Sequence, residues 1–255
     1  MPLVPARQIL EEAKKGKYGV GAYNVNNMEQ IQGIMKAASE TKSPIIIQAS
    51  RGALKYSNLI YLKHLMQAAV EENPDIPIAM HLDHGDTIES VKIAISLGFT
   101  SVMIDASHHP YEENVRITKE VVDYAHQYGV SVEAELGTLG GIEEDVSGEV
   151  KLTDPDQAVD FVKQTGVDSL AIAIGTSHGA YKFKAEPKLA FDLINEVVER
   201  VDIPLVSHGS SSVPKELRDE INKYGGNMPN AMGVPVESLQ EAIKRGICKI
   251  NVDTD

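Results

Sequence analysis

Tryptophan is absent from the sequence, phenylalanine occurs four times and cysteine once. Without large aromatic residues, a core has to be filled by Val, Ile, Leu and Ala, packed between short elements. The lone Cys248 excludes an internal disulfide. Positive charge is also scarce. Lys and Arg number 24 against 37 Asp and Glu, a formal net charge of −13. That excludes a general attraction for nucleic acid or an anionic membrane surface. No apolar run approaches a membrane span. The start, "MPLVPARQILEEAKKG", turns amphipathic and charged at once and lacks a signal-peptide core. The expectation is a soluble, cytoplasmic protein. Its 255 residues are enough to bury a sizeable core, and no linker divides them, so residues 1–255 are read as one domain.

What is present is a regular alternation. Eight short β-branched runs recur at 18–25, 44–50, 76–83, 100–107, 130–137, 168–175, 203–209 and 248–255. They are nearly continuous in apolar character, as parallel strands covered on both faces are. Segments with apolar residues three and four apart lie between them, such as "MEQIQGIMKAASE", "SNLIYLKHLMQAAVEE" and "PVESLQEAIKRG". Gly98, Gly129, Gly166 and Gly246 stand at helix ends just before strands, as left-handed stops. Pro44, Pro77 and Pro204 open strands. Thr87, Asp154 and Ser238 are candidate helix caps. Eight β/α alternations predict a closed (β/α)8 TIM barrel in preference to an open doubly wound sheet. A helix normally follows the eighth strand, and here the residues stop at that strand. The expectation is a barrel lacking its C-terminal helices, truncated at the C-terminus.

In such a barrel the chemistry sits at the C-terminal ends of the strands. The stretch "IPIAMHLDHGD" (76–86) passes from apolar to charged in one step and ends in Asp83 and His84. Asp105 ends the fourth run, Glu133 and Glu135 lie in the fifth, and His178 and His208 follow the sixth and seventh. Asn251, Asp253 and Asp255 close the eighth. A single histidine at a strand tip is ordinarily a hydrogen-bonded loop residue. His84, His178 and His208, on three strands of one barrel, instead offer three imidazoles and an open position for a catalytic metal. The adjacent His108-His109 is the competing pair. His64 and His126 fall in helical segments, and His81 falls early in its strand. Asp83 and His84 are neighbours and would face opposite ways in a regular strand. Both reach one site only if the strand bends, a bend assigned to Gly85. Asp83 is then either a loop carboxylate or a proton carrier. Asp105 and Glu135 would orient the histidines or offer an alternate metal position. Gly179 with Lys182, and Gly209 with Ser210 and Ser211, suit an anion such as a sugar phosphate. The segment "GTLGGIEEDVSGEV" (137–150) reads as a surface loop that could serve as a lid, with Glu143 or Glu144 delivered as an acid or base.

"HLDHGD", "SVMIDAS", "VEAELG", "GTSHGAYKF", "HGSSSVP" and "KINVDTD" occur in order at these strand ends. With them, essentially the whole chain resembles the class II, zinc-dependent fructose-1,6-bisphosphate aldolases, in the branch shared with tagatose-bisphosphate aldolases. The resemblance implies reversible cleavage of fructose 1,6-bisphosphate to dihydroxyacetone phosphate and glyceraldehyde 3-phosphate through a zinc-stabilised enediolate, with tagatose 1,6-bisphosphate as the alternative substrate. It implies that His84, His178 and His208 hold Zn²⁺ and that Asp83 moves the C4 hydroxyl proton. Glu143 becomes the lid residue that moves a proton at the dihydroxyacetone-phosphate carbon. Gly179, Lys182, Gly209, Ser211, Asp253 and Thr254 would surround the ketose phosphate. Asn251 would lie near its hydroxyl, Asn24 and Ser50 would line the site, and Asp105 and Glu135 would flank a second or resting Zn²⁺ position. A monovalent cation, Na⁺ or K⁺, and a homodimer or homotetramer are further expectations.

Three other classes bear different signatures. A metal-dependent hydrolase would use the same histidines to activate water, but it needs neither phosphate loops nor a mobile glutamate. A Schiff-base aldolase would need a nucleophilic lysine, for which Lys182 and Lys249 are the nominees. A non-catalytic binding protein on the same frame would have no use for the complete His/Asp/Glu set.

Overall fold

The computed structural model describes residues 3–143, 146–147, 151–179 and 187–253, with backbone alone for 140–143 and 146–147. Eight strands form a closed parallel barrel in chain order: β1 (Val20–Asn24), β2 (Ile45–Ser50), β3 (Ile78–Gly85), β4 (Ser101–Ile104), β5 (Ser131–Leu136), β6 (Ser169–Ile172), β7 (Leu205–Ser207) and β8 (Ile247–Val252). Closure is made by β1 against β8, with Val20 opposite Lys249 and Ala22 opposite Asn251. All eight expected strands form. All but β3, which runs on to Gly85, are shorter than the apolar runs because run ends turn into loops, above all at the sixth, where β6 stops at Ile172.

The main core lies between the barrel's outer face and the surrounding helices. Val132, Ala134 and Leu136 point outward from β5 into it, beside Phe161 and Val122. Gly98, Gly129, Gly166 and Gly246 all take positive φ, as expected of helix stops. Thr87 caps Ile88–Ser96 with a reciprocal bond to Ser90, and Asp154 accepts from the backbone N–H groups of Asp156 and Gln157. Ser238 is not a cap. It is the third residue of the helix Val236–Arg245, behind Pro235, whose fixed φ suits a helix entry. The helix expected over residues 57–72 forms as Leu59–Glu72, and a separate short helix, Arg51–Ser57, precedes it, parted from it at Asn58 with φ 66°.

The N-terminal segment gives more than its amphipathic pattern declares. Helix Ala6–Gly16 places Ala6, Ile9, Leu10 and Ala13 in one stripe. That stripe closes the bottom of the barrel against Val20, Ala22, Ile46, Ala79 and Cys248, forming a second apolar cluster. Asp168 anchors the same end. Its Oδ1 accepts from Arg7 Nη1 (3.1 Å), and its Oδ2 binds His126 Nε2 (2.8 Å) and the Val132 N–H (2.8 Å). With the bottom sealed by hydrocarbon, the polar chemistry is confined to the upper half.

Candidate active site

A cleft of about 620 Å³ opens at the C-terminal ends of the strands, lined by Asn24, Ser50, Asp83, His178, Gly179, His208, Gly209, Ser211, Asn251 and Asp253 among others. Most of the expected site residues are thereby brought to one place. Among the described residues that line it, none is a lysine or arginine.

His84 and Asp83 reach the site together, but by a different bend from the one expected. His84 itself adopts φ 47°, in the left-handed region, and the β3–β4 register slips between Leu82 and Gly85. This turn brings both side chains to the barrel axis. Arg51 secures it: its Nε donates to the His84 carbonyl (3.3 Å) and its Nη1 pairs with Asp86 (2.7 Å). Asp86 is spent there, outside the cleft. Gly85 is needed for a close approach, since a Cβ at that position would stand 2.5 Å from the Met103 carbonyl oxygen.

The three imidazoles meet edge-on. Ring centroids lie 4.7 Å apart for His84 and His208, 5.3 Å for His84 and His178, and 6.3 Å for His178 and His208. His84 Nε2 and His208 Nδ1 are 2.9 Å apart. Ligand atoms of Asp83, His84 and His208 fall within 4.8 Å of one another, as do those of His84, Asp105 and Glu135. His178 stands farther out. It is not on β6 but on a short strand, Ser177–His178, that pairs in parallel with Gly140–Glu143, with Gly141 opposite His178. The segment expected to be a loop thus contains a hairpin (Gly140–Glu143 with Val146–Ser147) joined to a histidine-bearing strand.

Protonation chemistry favours a cation at this point. His84 Nδ1 lies 2.9 Å from Asp105 Oδ2, which can only accept when ionised. Burial alone would raise the Asp105 carboxyl. The hydrogen bond and charge of His84 outweigh it, with two bonds from Ser107, and hold Asp105 well below the usual carboxylate range. His84 therefore donates from Nδ1 and turns Nε2 toward His208 Nδ1. Two facing imidazole nitrogens need a proton between them, or a metal ion in its place. The donor set (imidazole nitrogens with neighbouring carboxylates) fits a divalent transition metal.

Asp83 is 2 % exposed. Its Oδ2 accepts from Asn24 Nδ2 (2.9 Å) and its Oδ1 from Asn251 Nδ2 (3.2 Å). Asn24 is in turn held by Gln48 Nε2 (2.6 Å). The Asn251 carbonyl oxygen is buried and makes no hydrogen bond among the described residues, which leaves an acceptor for a hydroxyl of a bound molecule. Ser50 lines the cleft and also caps helix Arg51–Ser57 by accepting from the Ala53 N–H. Ser211 Oγ accepts from the Asp253 N–H (3.0 Å), tying two cleft loops together. Ser210 departs from its expected role. Its hydroxyl turns into the barrel to Ser207 Oγ (2.8 Å) and is used to brace the loop. His108 and His109 stack on each other in an exposed loop, away from the cleft. Lys182 and Thr254 lie outside the described residues, as does the side chain of Glu143.

Beneath the histidines is a polar layer whose members the sequence reading named separately, with Lys249 as a possible nucleophile, and did not bring together. His81, Glu133 and Lys249, 0–1 % exposed, meet inside the barrel. Each lies two residues before a candidate site residue on its strand: His81 before Asp83, Glu133 before Glu135, Lys249 before Asn251. Strand alternation alone puts each pair on one face, and that period-two spacing was the available signal. Burial pushes His81 down to about 3, with the Lys249 charge acting in the same direction. For Glu133, burial acts upward, but Lys249 and the His208 hydrogen bond prevail and hold it below the usual carboxylate range.

These shifts fix the sign of an acid effect. An unfolded histidine takes a proton near 6.5, whereas buried His81 resists it down to about 3. Between those values the unfolded state binds more protons, so stability falls as pH drops through that window. Glu133 adds a loss of the same sign below its unfolded value of 4.5. Unfolding free energies from urea titrations at pH 7 to 4 are expected to fall steadily, by on the order of 4 kcal/mol in total. A flat profile would refute the buried neutral His81.

A family model described as "Fructose-bisphosphate aldolase class-II" matches residues 4–255. The chain is 69 % identical over 257 residues to a fructose-bisphosphate aldolase of Giardia intestinalis, covering all of this chain and 80 % of that protein. It is 51 % identical over 256 residues to a fructose-bisphosphate aldolase of Helicobacter pylori, covering 99 % and 83 %. Among solved structures, the YdjI aldolase of Escherichia coli K12 superposes with a TM-score of 0.82 at 36 % identity, covering 99 % of this chain and 82 % of that one. No helix among the described residues is long and apolar enough to cross a membrane.

Proposed function

This chain belongs to the class II fructose-bisphosphate aldolases, and from that premise we propose that it cleaves fructose 1,6-bisphosphate reversibly at the barrel mouth, with His84, His178 and His208 holding Zn²⁺. The observation that carries the reading is the convergence of His84 Nε2 and His208 Nδ1 at 2.9 Å beside the buried Asp83 carboxylate. The bound ion would supply Lewis acidity to the substrate's carbonyl and adjoining hydroxyl oxygens.

The chain's own groups do the rest. In the cleavage direction Asp83 takes the proton from the C4 hydroxyl. Asn24 and Asn251, one on each carboxylate oxygen, hold it in place while leaving lone pairs for that hydroxyl. The C3–C4 bond breaks, its electron pair stays with the three-carbon ketose fragment, and glyceraldehyde 3-phosphate departs. Glu143 then returns a proton to that carbon. The pairing of Gly141 with His178 supports this role, because it brings the backbone of the Glu143 segment to a proposed ligand. Gly179, Gly209, Ser211 and Asp253, with Lys182 and Thr254, would surround the ketose phosphate. With no cation among the described lining residues, the phosphate depends on N–H and hydroxyl donors, on Lys182 and on a monovalent cation, Na⁺ or K⁺. Asp105 and Glu135 would provide the second metal position. A cytoplasmic homodimer or homotetramer completes the reading.

Cleavage of fructose 1,6-bisphosphate should vanish when EDTA strips the metal and return with added Zn²⁺. Activity that survives verified metal removal would overturn the proposal and redirect attention to a lysine mechanism, which borohydride trapping would reveal. Cleavage of tagatose 1,6-bisphosphate in preference to fructose 1,6-bisphosphate would retain the mechanism and change the substrate.

A further inference from the structure

Lys249 is a fully buried cation, inside the barrel and away from the cleft lining. An ammonium has three donors and no acceptor. All three are accounted for: Glu133 Oε1 at 3.0 Å, Glu133 Oε2 at 2.8 Å and His81 Nε2 at 3.3 Å. Such a lysine is held by acceptors on every side, which removes it as a Schiff-base nucleophile and leaves the question of what it is for.

The hydrogen bonds answer by direction. His81 must accept from Lys249 at Nε2, so its proton is on Nδ1, where Ser101 Oγ lies 2.7 Å away. Glu133 is acceptor-only, so His208 must donate to it from Nε2, across 2.8 Å. His208 then has its lone pair on Nδ1, the nitrogen that faces His84. We propose that Lys249, acting through Glu133, is a positioning residue for the metal: the pair fixes the His208 tautomer and aims its Nδ1 lone pair into the site. The inference rests on the reading of His208 as a ligand and extends it by one layer. Three strands take part: His81 on β3, Glu133 on β5 and Lys249 on β8, with His208 directly after β7. The network therefore sets both the ring orientation and the spacing of the elements that deliver it. Without the ammonium, the carboxylate loses the two bonds that aim it at His208.

The test measures metal affinity by competition between the zinc-loaded enzyme and a chelating indicator, alongside the visible spectrum of the Co²⁺-substituted enzyme. Lys249→Met is expected to bind zinc about 10- to 100-fold more weakly and to shift the Co²⁺ bands. The single variant leaves Glu133 buried without its partner and can fail to fold. Glu133→Leu/Lys249→Met removes both charges and avoids that penalty. It is expected to recover the wild-type melting temperature but not the metal affinity. If either folded variant keeps zinc affinity within twofold and an unchanged Co²⁺ spectrum, the pair is only structural and the inference is overturned. His208→Ala separates the two levels. Its retention of full affinity would refute the ligand reading itself, whereas loss in His208→Ala with none in the Lys249 and Glu133 variants would refute only the positioning role.

Discussion

Replacing Asp83 by alanine is expected to lower kcat for fructose 1,6-bisphosphate cleavage by about 10²- to 10⁴-fold, the usual contribution of a positioned acid or base. The expectation comes from how completely the carboxylate is prepared. It is buried, each oxygen accepts one amide N–H, and those amides come from β1 and β8, the two strands that pair where the barrel closes. KM should change little, because the interaction matters as the proton moves and not in the ground state. Zinc content decides between two roles for the same residue. Asp83 has a ligand atom within 4.8 Å of those of His84 and His208, so it could also touch the ion. A variant that loses kcat with full metal content establishes the proton carrier. A variant that loses metal in proportion to activity makes Asp83 a ligand instead, and a kcat within tenfold of the wild type removes it from the chemistry.

Gly209→Ala is expected to damage both stability and metal binding, although it adds one methyl group. Gly209 has φ 60°, where a Cβ strains the backbone by about 1–3 kcal/mol. That Cβ would also stand 2.6 Å from the Ser177 carbonyl oxygen, 2.7 Å from its carbon and 3.0 Å from its nitrogen. All three are backbone atoms, so no flexible side chain can move aside. The contact presses the turn after His208 onto the strand that bears His178, and relief can come only by separating the two proposed ligands. A melting temperature lower by roughly 5 °C or more, with weaker zinc binding, is the expected result. An alanine variant that matches the wild type in both would show that the turn is soft and the ligand spacing is set elsewhere.

The barrel was legible because its signals are local. Each apolar run, each helix-ending glycine and each strand-opening proline acts within a few residues, and the glycines do take left-handed conformations. The errors are equally local in origin. Ser238 has the right residue type for a cap, but Pro235 starts the helix three residues earlier. Gly85 was assigned the bend because glycine tolerates one at least cost. The bend fell on His84, because Arg51, 33 residues earlier and anchored on Asp86, holds its carbonyl. His178 was placed at the end of a barrel strand because its apolar run continues to Gly175, whereas pairing with β5 and β7 ends at Ile172.

The sequence by itself determined the alternation of elements, the sealed apolar wall and the candidate chemistry of Asp83, His84, His178 and His208. Periodicity and side-chain type are properties of the chain and survive any arrangement in space. Only the tertiary structure decided how those groups face one another. The His84–His208 contact joins residues 124 positions apart, and the Lys249–Glu133 pair spans 116. Hydrogen-bond direction, burial and tautomer belong to such pairs and not to single residues. His81 therefore looks ordinary along the chain and Lys249 looks like a possible nucleophile, and both become the support of a proposed metal ligand once the barrel closes around them.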